Sequence, residues 1–229
     1  MKKFFKFILK SLLIILLLAG AYFGTAGYMK YYNALKECPL PDKIAEIQAQ
    51  SNYTQLSDIP ETFKNAMVSV EDRRFYKHHG FDYIGTARAI ATDIRYLKPL
   101  EGGSTITQQL AKNIYFPQDS TPSRKIAEIL MALKIEREYE KDDILELYFN
   151  VIYYGKGCYN IHDAAKKYFN KAPSDMTKYE STLLAGIPNA PSVYSNNSEL
   201  AAKRQKKVLE SMVRSEYISE DEADEILNG

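Results

Sequence analysis

The stretch TPSRKIAEILMAL, residues 121–133, carries a clear helical signal. Thr-Pro is a typical opening of a helix, because proline fits the first turn without losing a needed hydrogen bond. Ile126, Ile129, Leu130 and Leu133 then recur every three or four residues, which places them on one face. This stretch therefore predicts an amphipathic helix that packs against a core.

The same spacing recurs elsewhere, and no sustained period-two alternation competes with it. Asp58-Ile59-Pro60-Glu61 resembles a capping box and predicts a helix through Val70, and Gly80 then interrupts the pattern. Further helices are predicted over residues 83–97 (ending near Pro99), 144–148, 180–187 and 200–226. The predicted fold class is mostly α.

Composition and charge narrow the classes of function. The 229 residues are 45% hydrophobic and 26% charged, which suits a folded domain. Four of the 30 basic residues lie in residues 1–10, so residues 30–229 carry 26 basic and 29 acidic residues, a net charge of −3. We therefore expect no nucleic-acid partner. Two cysteines, Cys38 and Cys158, exclude a disulfide scaffold and a four-thiolate zinc site, and whether they pair is left open.

Residues 11–29 carry no charge. As a helix they span roughly 28 Å, close to the hydrocarbon thickness of a bilayer. We predict a cytoplasmic basic tail (1–10), a transmembrane anchor (11–29), a juxtamembrane segment (30–58) and one extracytoplasmic domain (59–229). The alternative is a cleaved signal peptide, with Ala19-Gly20-Ala21 as the cleavage site. Both interpretations place the domain outside the cytoplasm.

The segment VEDRRFYKHHG, residues 70–80, is the first candidate for chemistry. Glu71 lies one helical turn from Met67 and from Phe75, so its carboxylate is expected beside apolar surface. Desolvation there would raise its pKa and make it a better proton acceptor near neutral pH. The alternative is a solvated helix face whose charges pair with one another.

Two further segments are rich in donors and cations. Residues 102–113, GGSTITQQLAKN, form a turn suited to sugar hydroxyls or phosphate oxygens, or else an ordinary capped helix start. In residues 123–128, Arg124 and Lys125 are spaced to lie beside Glu128, where they would match an anionic leaving group or form a surface ion-pair cluster. The aromatic residues of segment 153–169 could stack on sugar rings, although packing between helices is commoner.

Other catalytic arrangements fail on spacing. His78 and His79 are adjacent and His162 is isolated, so a catalytic zinc is not expected. Neither a G-x-S-x-G motif nor a Walker-type phosphate loop is present.

In their order along the chain, these motifs resemble the peptidoglycan glycosyltransferases that polymerise lipid II, glycosyltransferase family 51. The matching stretches are EDRRFYKHHGFD, GGSTITQQLAKN, RKIAE with KDDILELYFN, and YGKGCYNIHDAAKKYFNK followed by ESTLLAGIPNAPSVYS. They cover nearly all of residues 55–195. With no room for a transpeptidase domain before Gly229, the chain looks like the monofunctional, membrane-anchored type.

The resemblance implies a lysozyme-like helical domain with a smaller membrane-associated lobe, on the outer side of the bacterial inner membrane. It implies that Glu71 is the general base for the acceptor 4-hydroxyl and that Glu128 helps to position the donor or its departing pyrophosphate. It assigns substrate binding to eight further positions: Asp72, Phe75, Arg88, Ser104, Gln108, Gln109, Lys112 and Arg124. The expected product is a β-1,4 glycan, formed with inversion and release of undecaprenyl pyrophosphate.

The expected partners are lipid II, the growing glycan strand and the bilayer, and other cell-wall synthesis proteins stay open. No metal site is assigned, although a divalent cation, Mg²⁺ or Mn²⁺, at the pyrophosphate stays open as a cofactor. The apolar face of residues 83–97 either lies against the bilayer, as the resemblance implies, or packs inside the domain. Two alternative functions are a lysozyme-like hydrolase and a non-catalytic glycan-binding protein.

Overall fold

The structure is a computed structural model that describes residues 2–96, 103–117, 119 and 121–228. Over these residues it contains twelve α-helices, four short 3₁₀ turns and no strand, which confirms the mostly α prediction. The helices are α1 (Lys2–Glu37), α2 (Leu40–Gln48), α3 (Glu61–Glu71), α4 (Tyr83–Tyr96), α5 (Ile106–Tyr115), α6 (Pro122–Glu138), α7 (Lys141–Phe149), α8 (Ile161–Phe169), α9 (Lys178–Gly186), α10 (Pro191–Tyr194), α11 (Ser198–Arg214) and α12 (Glu220–Asn228).

Helix α1 is one continuous helix with two environments. Its segment Phe4–Glu37 is long and apolar enough to cross a membrane, and its most apolar stretch is not buried by the rest of the protein. From Gly27 onward one face turns toward the domain: Gly27 is buried, and Tyr31, Ala34 and Leu35 pack toward the core. The helix therefore runs past residue 29, where the uncharged stretch ends.

Helix α2 and the turn after it pack with the domain. Leu40, Ile44 and Ile47 of α2 are buried in the core, and Ile59 joins them. Asn150, at the end of α7, accepts the backbone N–H of Thr54 and donates to its carbonyl oxygen, both at 2.8 Å. Much of the predicted juxtamembrane segment 30–58 thus packs against the domain.

Two groups of helices build the core. Helix α3 packs against α9 and α11, and α5 packs against α6 and α7. The large side chains between these groups are fully buried, and the rings of Phe63 and Phe149 meet edge to face at 5.0 Å. This packing fixes the C-terminal end of α3 and the N-terminal ends of α5 and α6, where the polar motifs lie.

Two local predictions are wrong in detail. The capping box at residues 58–61 does not form, because Asp58 belongs to a 3₁₀ turn and Pro60 is the N-cap of α3. The helix expected over residues 200–226 is two helices, since the chain turns after Arg214 with Glu216 at φ 60°, in the left-handed region.

Helix α4 confirms the predicted helix over most of its length, while Leu97 and Pro99 lie outside the described residues. Three residues of its predicted apolar face point outward: Tyr83 is 70% exposed and Ile94 is 69% exposed, and Ile84 is also exposed. Of the two interpretations of this face, interior packing is excluded for these three residues. The exposed stripe lies on the same helix as Arg88, which borders the cleft described next.

Candidate functional site

A polar cleft of about 550 Å³ opens where α3 ends. Its lining comes from the α3 terminus and the loop after it, from α4, from the N-terminal flank of α5 and from α11. Four of the predicted site residues line it: Glu71, Asp72, Arg88 and Ser104. The cleft is therefore the place at which the first two sequence motifs meet.

Glu71 is the last residue of α3, and its side chain is only 10% exposed. Gln109 Nε2 donates to its Oε2 at 3.0 Å. Its Oε1 is buried, accepts no hydrogen bond from the described residues, and lies 3.6 Å from the Arg204 guanidinium. Because Glu71 lines the cleft, its carboxylate can accept a proton from a hydroxyl that reaches it there.

The Tyr148 hydroxyl sets the orientation of the Gln109 amide. The Tyr148 hydroxyl donates to Gln109 Oε1 at 3.0 Å. Complete burial raises the pKa of Tyr148 well above its ordinary value, and the nearby Glu71 charge adds to this shift. Because the phenol therefore keeps its proton, Gln109 must present its NH₂ group to Glu71.

Asp72 follows α3 directly but faces the protein interior. Its Oδ2 accepts the backbone N–H of Ile106 at 3.0 Å and lies 2.8 Å from His78 Nε2. The first of these contacts ties the end of α3 to the start of α5. Asp72 therefore connects segment 70–80 to segment 102–113 through a hydrogen bond.

His78 lies in a buried polar network that the sequence did not indicate. Its second nitrogen, Nδ1, is 3.9 Å from Glu136, a carboxylate that is only 3% exposed. Glu136 also accepts the Thr107 hydroxyl at 2.5 Å and pairs with Lys141 at 2.7 Å. His78 therefore links two buried carboxylates, Asp72 and Glu136.

Glu128 is the second buried carboxylate, with a side chain that is 3% exposed. Arg124 Nε approaches its Oε1 to 2.8 Å, and Lys125 Nζ approaches its Oε2 to 3.1 Å. The structure thus forms both ion pairs that the spacing on α6 indicates. Lys125 also donates to Ser104 Oγ at 2.7 Å, which connects the cations of α6 to the lining of the cleft.

Two residues predicted to bind substrate are fully buried in this structure. Gln108 completes a capping box with Thr105 at the start of α5, and its Oε1 accepts from Lys125 at 3.0 Å. Phe75 packs in the core, with Lys141 Nζ 4.4 Å from the centre of its ring. Neither side chain is part of the cleft lining, and substrate contact by Gln108 and Phe75 stays a prediction.

Lys112 and Arg88 differ from these two residues in being exposed. Lys112 lies one turn beyond Gln108 and Gln109 on α5 and forms no ion pair within the described part of the chain. Arg88 lines the cleft from α4. Both side chains are accessible to an anionic ligand.

Helix α11 is the part of the cleft that sequence analysis missed. Arg204, Lys207 and Arg214 line the cleft from this helix, more than 130 residues beyond Glu71 in the chain. Gly186 gives the Arg204 stem its space, since a Cβ at that position would lie 2.9 Å from Arg204 Cγ. The basic residues of α11 are far from Glu71 in the sequence and belong to no local motif. The sequence therefore contains no signal that they reach the same cleft.

Metal binding by protein side chains alone has no support within the described ranges. There, no three His, Cys, Asp or Glu side chains come together in a way that could hold an ion. Both oxygens of Glu128 already face cations.

The fold and the site define a helical domain with two nearly buried carboxylates. Glu71 lines the polar cleft, and Glu128 is connected to the cleft lining through Lys125 and Ser104. A family model described as Transglycosylase matches residues 41–213. The chain therefore belongs to this family, which confirms the resemblance recognised from the sequence motifs.

Two relatives show how widely the similarity extends. Penicillin-binding protein 1A of Neisseria gonorrhoeae is 44% identical over 183 residues, which are 79% of this chain and 23% of that protein. Penicillin-binding protein 1F of Bacillus subtilis is 42% identical over 185 residues, which are 80% of this chain and 26% of that protein. The chain thus spans about a quarter of the length of these relatives.

A solved structure is also similar over part of its length. The crystal structure of penicillin-binding protein 1A from Haemophilus influenzae matches with a TM-score of 0.43 and 21% sequence identity, covering 76% of this chain and 17% of that one.

Proposed function

We propose that this chain polymerises lipid II into β-1,4-linked peptidoglycan strands for cell-wall synthesis. Membership of the transglycosylase family supports this class of reaction. The observation that carries the proposal is the position of Glu71: its nearly buried carboxylate borders the polar cleft, with one oxygen held by Gln109 and the other 3.6 Å from the Arg204 guanidinium.

In this reaction Glu71 removes the proton from the 4-hydroxyl of the acceptor sugar. The hydroxyl oxygen then forms a bond to the anomeric carbon of the donor from the face opposite the leaving group. The bond between that carbon and the phosphate oxygen breaks, and the pyrophosphate leaves with the electron pair. General-base catalysis of this kind contributes about 10²–10⁴-fold to a rate.

The cations of α5 and α6 are the groups that would stabilise the departing pyrophosphate. Lys125 reaches from Glu128 to Ser104 at the cleft, Arg124 flanks the same carboxylate, and Lys112 is exposed one turn along α5. Fixed cations at the oxygen where negative charge develops lower the barrier without reorganising in the reaction. Glu128 positions the two cations of α6 in this proposal and transfers no proton.

In this proposal a divalent cation would bind together with the pyrophosphate of the substrate. Because Glu128 is already paired with two cations, pyrophosphate oxygens would have to supply most of the ligands of that divalent cation.

The outward apolar stripe of α4 supports a membrane-facing surface. Tyr83, Ile84 and Ile94 would enter the headgroup region of the bilayer, while Arg88 borders the cleft. With α1 as a single span and the lysines of residues 1–10 in the cytoplasm, the domain would act on the outer face of the bacterial inner membrane. The cleft would then open where the lipid-linked substrate resides.

The test uses the full chain in detergent with labelled lipid II, and products are separated by size before and after muramidase digestion. We expect long, muramidase-sensitive glycan from the wild type and none from Glu71→Gln. Glu61→Gln is the matched control, because Glu61 is an exposed residue of the same helix. Shortening of preformed glycan without polymer would establish a hydrolase instead. Folded protein with neither activity would support a binding function.

A further inference from the structure

The outer end of α1 docks directly on α6. Gly27 is buried at this contact, and a Cβ added there would lie 2.6 Å from Ile126 Cβ and 2.9 Å from the Ser123 carbonyl oxygen. Real Cβ atoms essentially never approach that closely, and the atoms met belong to the α6 backbone or are attached to it. The two helices can approach this closely only because residue 27 is glycine.

A polar chain runs from the same face of α1 to Glu128. Lys30 pairs with Asp119 at 2.7 Å, and Asp119 also accepts the N–H and hydroxyl of Thr121 at 2.7 and 2.6 Å. The Lys30 and Thr121 donors lower the pKa of Asp119 to about 2. Arg124 donates to the Asp119 carbonyl oxygen and also flanks Glu128.

The position of this contact along α1 matters as well. Lys30 is the first charged residue after the uncharged stretch of residues 11–29, so a membrane-spanning α1 would leave the hydrocarbon region at this level. Because α6 begins beside Gly27 and Lys30, its cations would lie near the level of lipid phosphates. Substrate phosphates held by a lipid anchor would meet Arg124 and Lys125 there.

We propose that Gly27 and Lys30 are positioning residues for the pyrophosphate-binding cations of α6. By close packing at Gly27 and by the ion pair at Asp119, α1 fixes both the orientation and the height of the first two turns of α6. The membrane helix is thus a structural part of the donor site in addition to being an anchor. This inference rests on the proposed function for its substrate, but the docking it invokes is measurable without activity.

The test compares Gly27→Ala with Gly24→Ala in the full chain. Both changes add one methyl group to the same helix and give the same gain in helix propensity. They differ in that a Cβ at residue 24 has nothing within 4 Å, whereas at residue 27 it overlaps α6. Any difference between the two variants therefore reports the docking contact.

Two measurements are made on each variant: amide hydrogen exchange of residues 123–128, and kcat and KM for lipid II. For Gly27→Ala we expect exchange in this segment to rise about tenfold or more and KM to rise about fivefold, with kcat within twofold of wild type, as overpacking separates the helices. Gly24→Ala should match wild type in both. Lys30→Gln should raise KM about twofold, since its ion pair is partly exposed.

Each result decides the proposal. Unchanged exchange in Gly27→Ala would overturn the docking, and faster exchange with unchanged KM would overturn its link to substrate binding. If the wild type makes no polymer, the proposed function fails, and with it the assignment of lipid II. In that case faster exchange in Gly27→Ala alone would still establish that α1 positions α6, and unchanged exchange would remove that conclusion too.

Discussion

Glu71 and Glu128 are both nearly buried glutamates, yet their surroundings differ in charge. Glu71 has a neutral amide at one oxygen, and its other oxygen lies 3.6 Å from the Arg204 guanidinium. Glu128 has a cation within 3.1 Å of each oxygen. In the first arrangement the carboxylate borders the cleft, and in the second it is the partner of two cations on α6.

This difference shows that residue type and burial alone do not assign a catalytic role. In a hydrolase of the two-carboxylate type, one carboxylic acid must donate a proton to the leaving oxygen. Glu128 is nearly buried and has Arg124 and Lys125 at its two oxygens, so its carboxyl group is poorly placed for that step. The surroundings of Glu128 therefore fit a reaction whose leaving group is already anionic.

The largest expected effect follows from removing the proton acceptor. Glu71→Gln preserves size and the hydrogen bond to Gln109, so kcat should fall about 10²–10⁴-fold while KM and the unfolding midpoint stay close to wild type. Steady-state polymerisation and thermal unfolding measure these values. Glu61→Gln, an exposed change in the same helix, should keep full activity. A folded Glu71→Gln protein with wild-type kcat would remove Glu71 from the base role.

Glu128→Gln should act on substrate binding and on stability. Without its carboxylate, Arg124 and Lys125 face a neutral group and lose their fixed positions, so KM for lipid II should rise about 10–100-fold, equivalent to roughly 1.5–3 kcal/mol. The matched control is Glu180→Gln, which also breaks a lysine pair but lies outside the cleft. It should lower stability without changing KM. Equal KM values for the two variants would contradict the positioning role of Glu128.

Local spacing predicts one of these two environments and not the other. Arg124, Lys125 and Glu128 lie within one helical turn, so their pairing follows from helix geometry. The environment of Glu71 depends on Gln109 and Arg204, which are 38 and 133 positions away. Such contacts depend on how α3, α5 and α11 pack, and this packing cannot be predicted from the local spacing of residues.

The adjacent pair Gln108 and Gln109 shows the same limit at finer scale. Neighbouring residues on a helix point about 100° apart. One therefore turns inward to cap α5 and meet Lys125, while the other turns toward Glu71. The motif alone places both side chains at the substrate, and only the rotation of α5 in the fold separates their roles.

A smaller effect is expected from Lys112→Ala. Lys112 is exposed and unpaired within the described residues, so its removal should leave stability unchanged and raise KM for lipid II about 3–10-fold at low salt. The effect should shrink as ionic strength rises, because it is a point-charge attraction. Lys43→Ala, which removes a surface lysine of α2 paired with Glu46, is the control. A KM that matches this control at every salt concentration would exclude a pyrophosphate contact by Lys112.

A similarly small effect is expected from Tyr148→Phe, which removes no charge and no group of the cleft. Without the Tyr148 hydroxyl the Gln109 amide can rotate and turn its oxygen toward Glu71, so kcat should fall about fivefold, equivalent to roughly 1 kcal/mol. Tyr154→Phe is the matched control, since Tyr154 is equally buried and its hydroxyl donates to the Phe149 carbonyl oxygen at 3.4 Å, away from Glu71 and Gln109. Both variants should lose a similar amount of stability, but only Tyr148→Phe should lose kcat. An equal kcat in the two would mean that Gln109 keeps its orientation toward Glu71 without the Tyr148 hydroxyl.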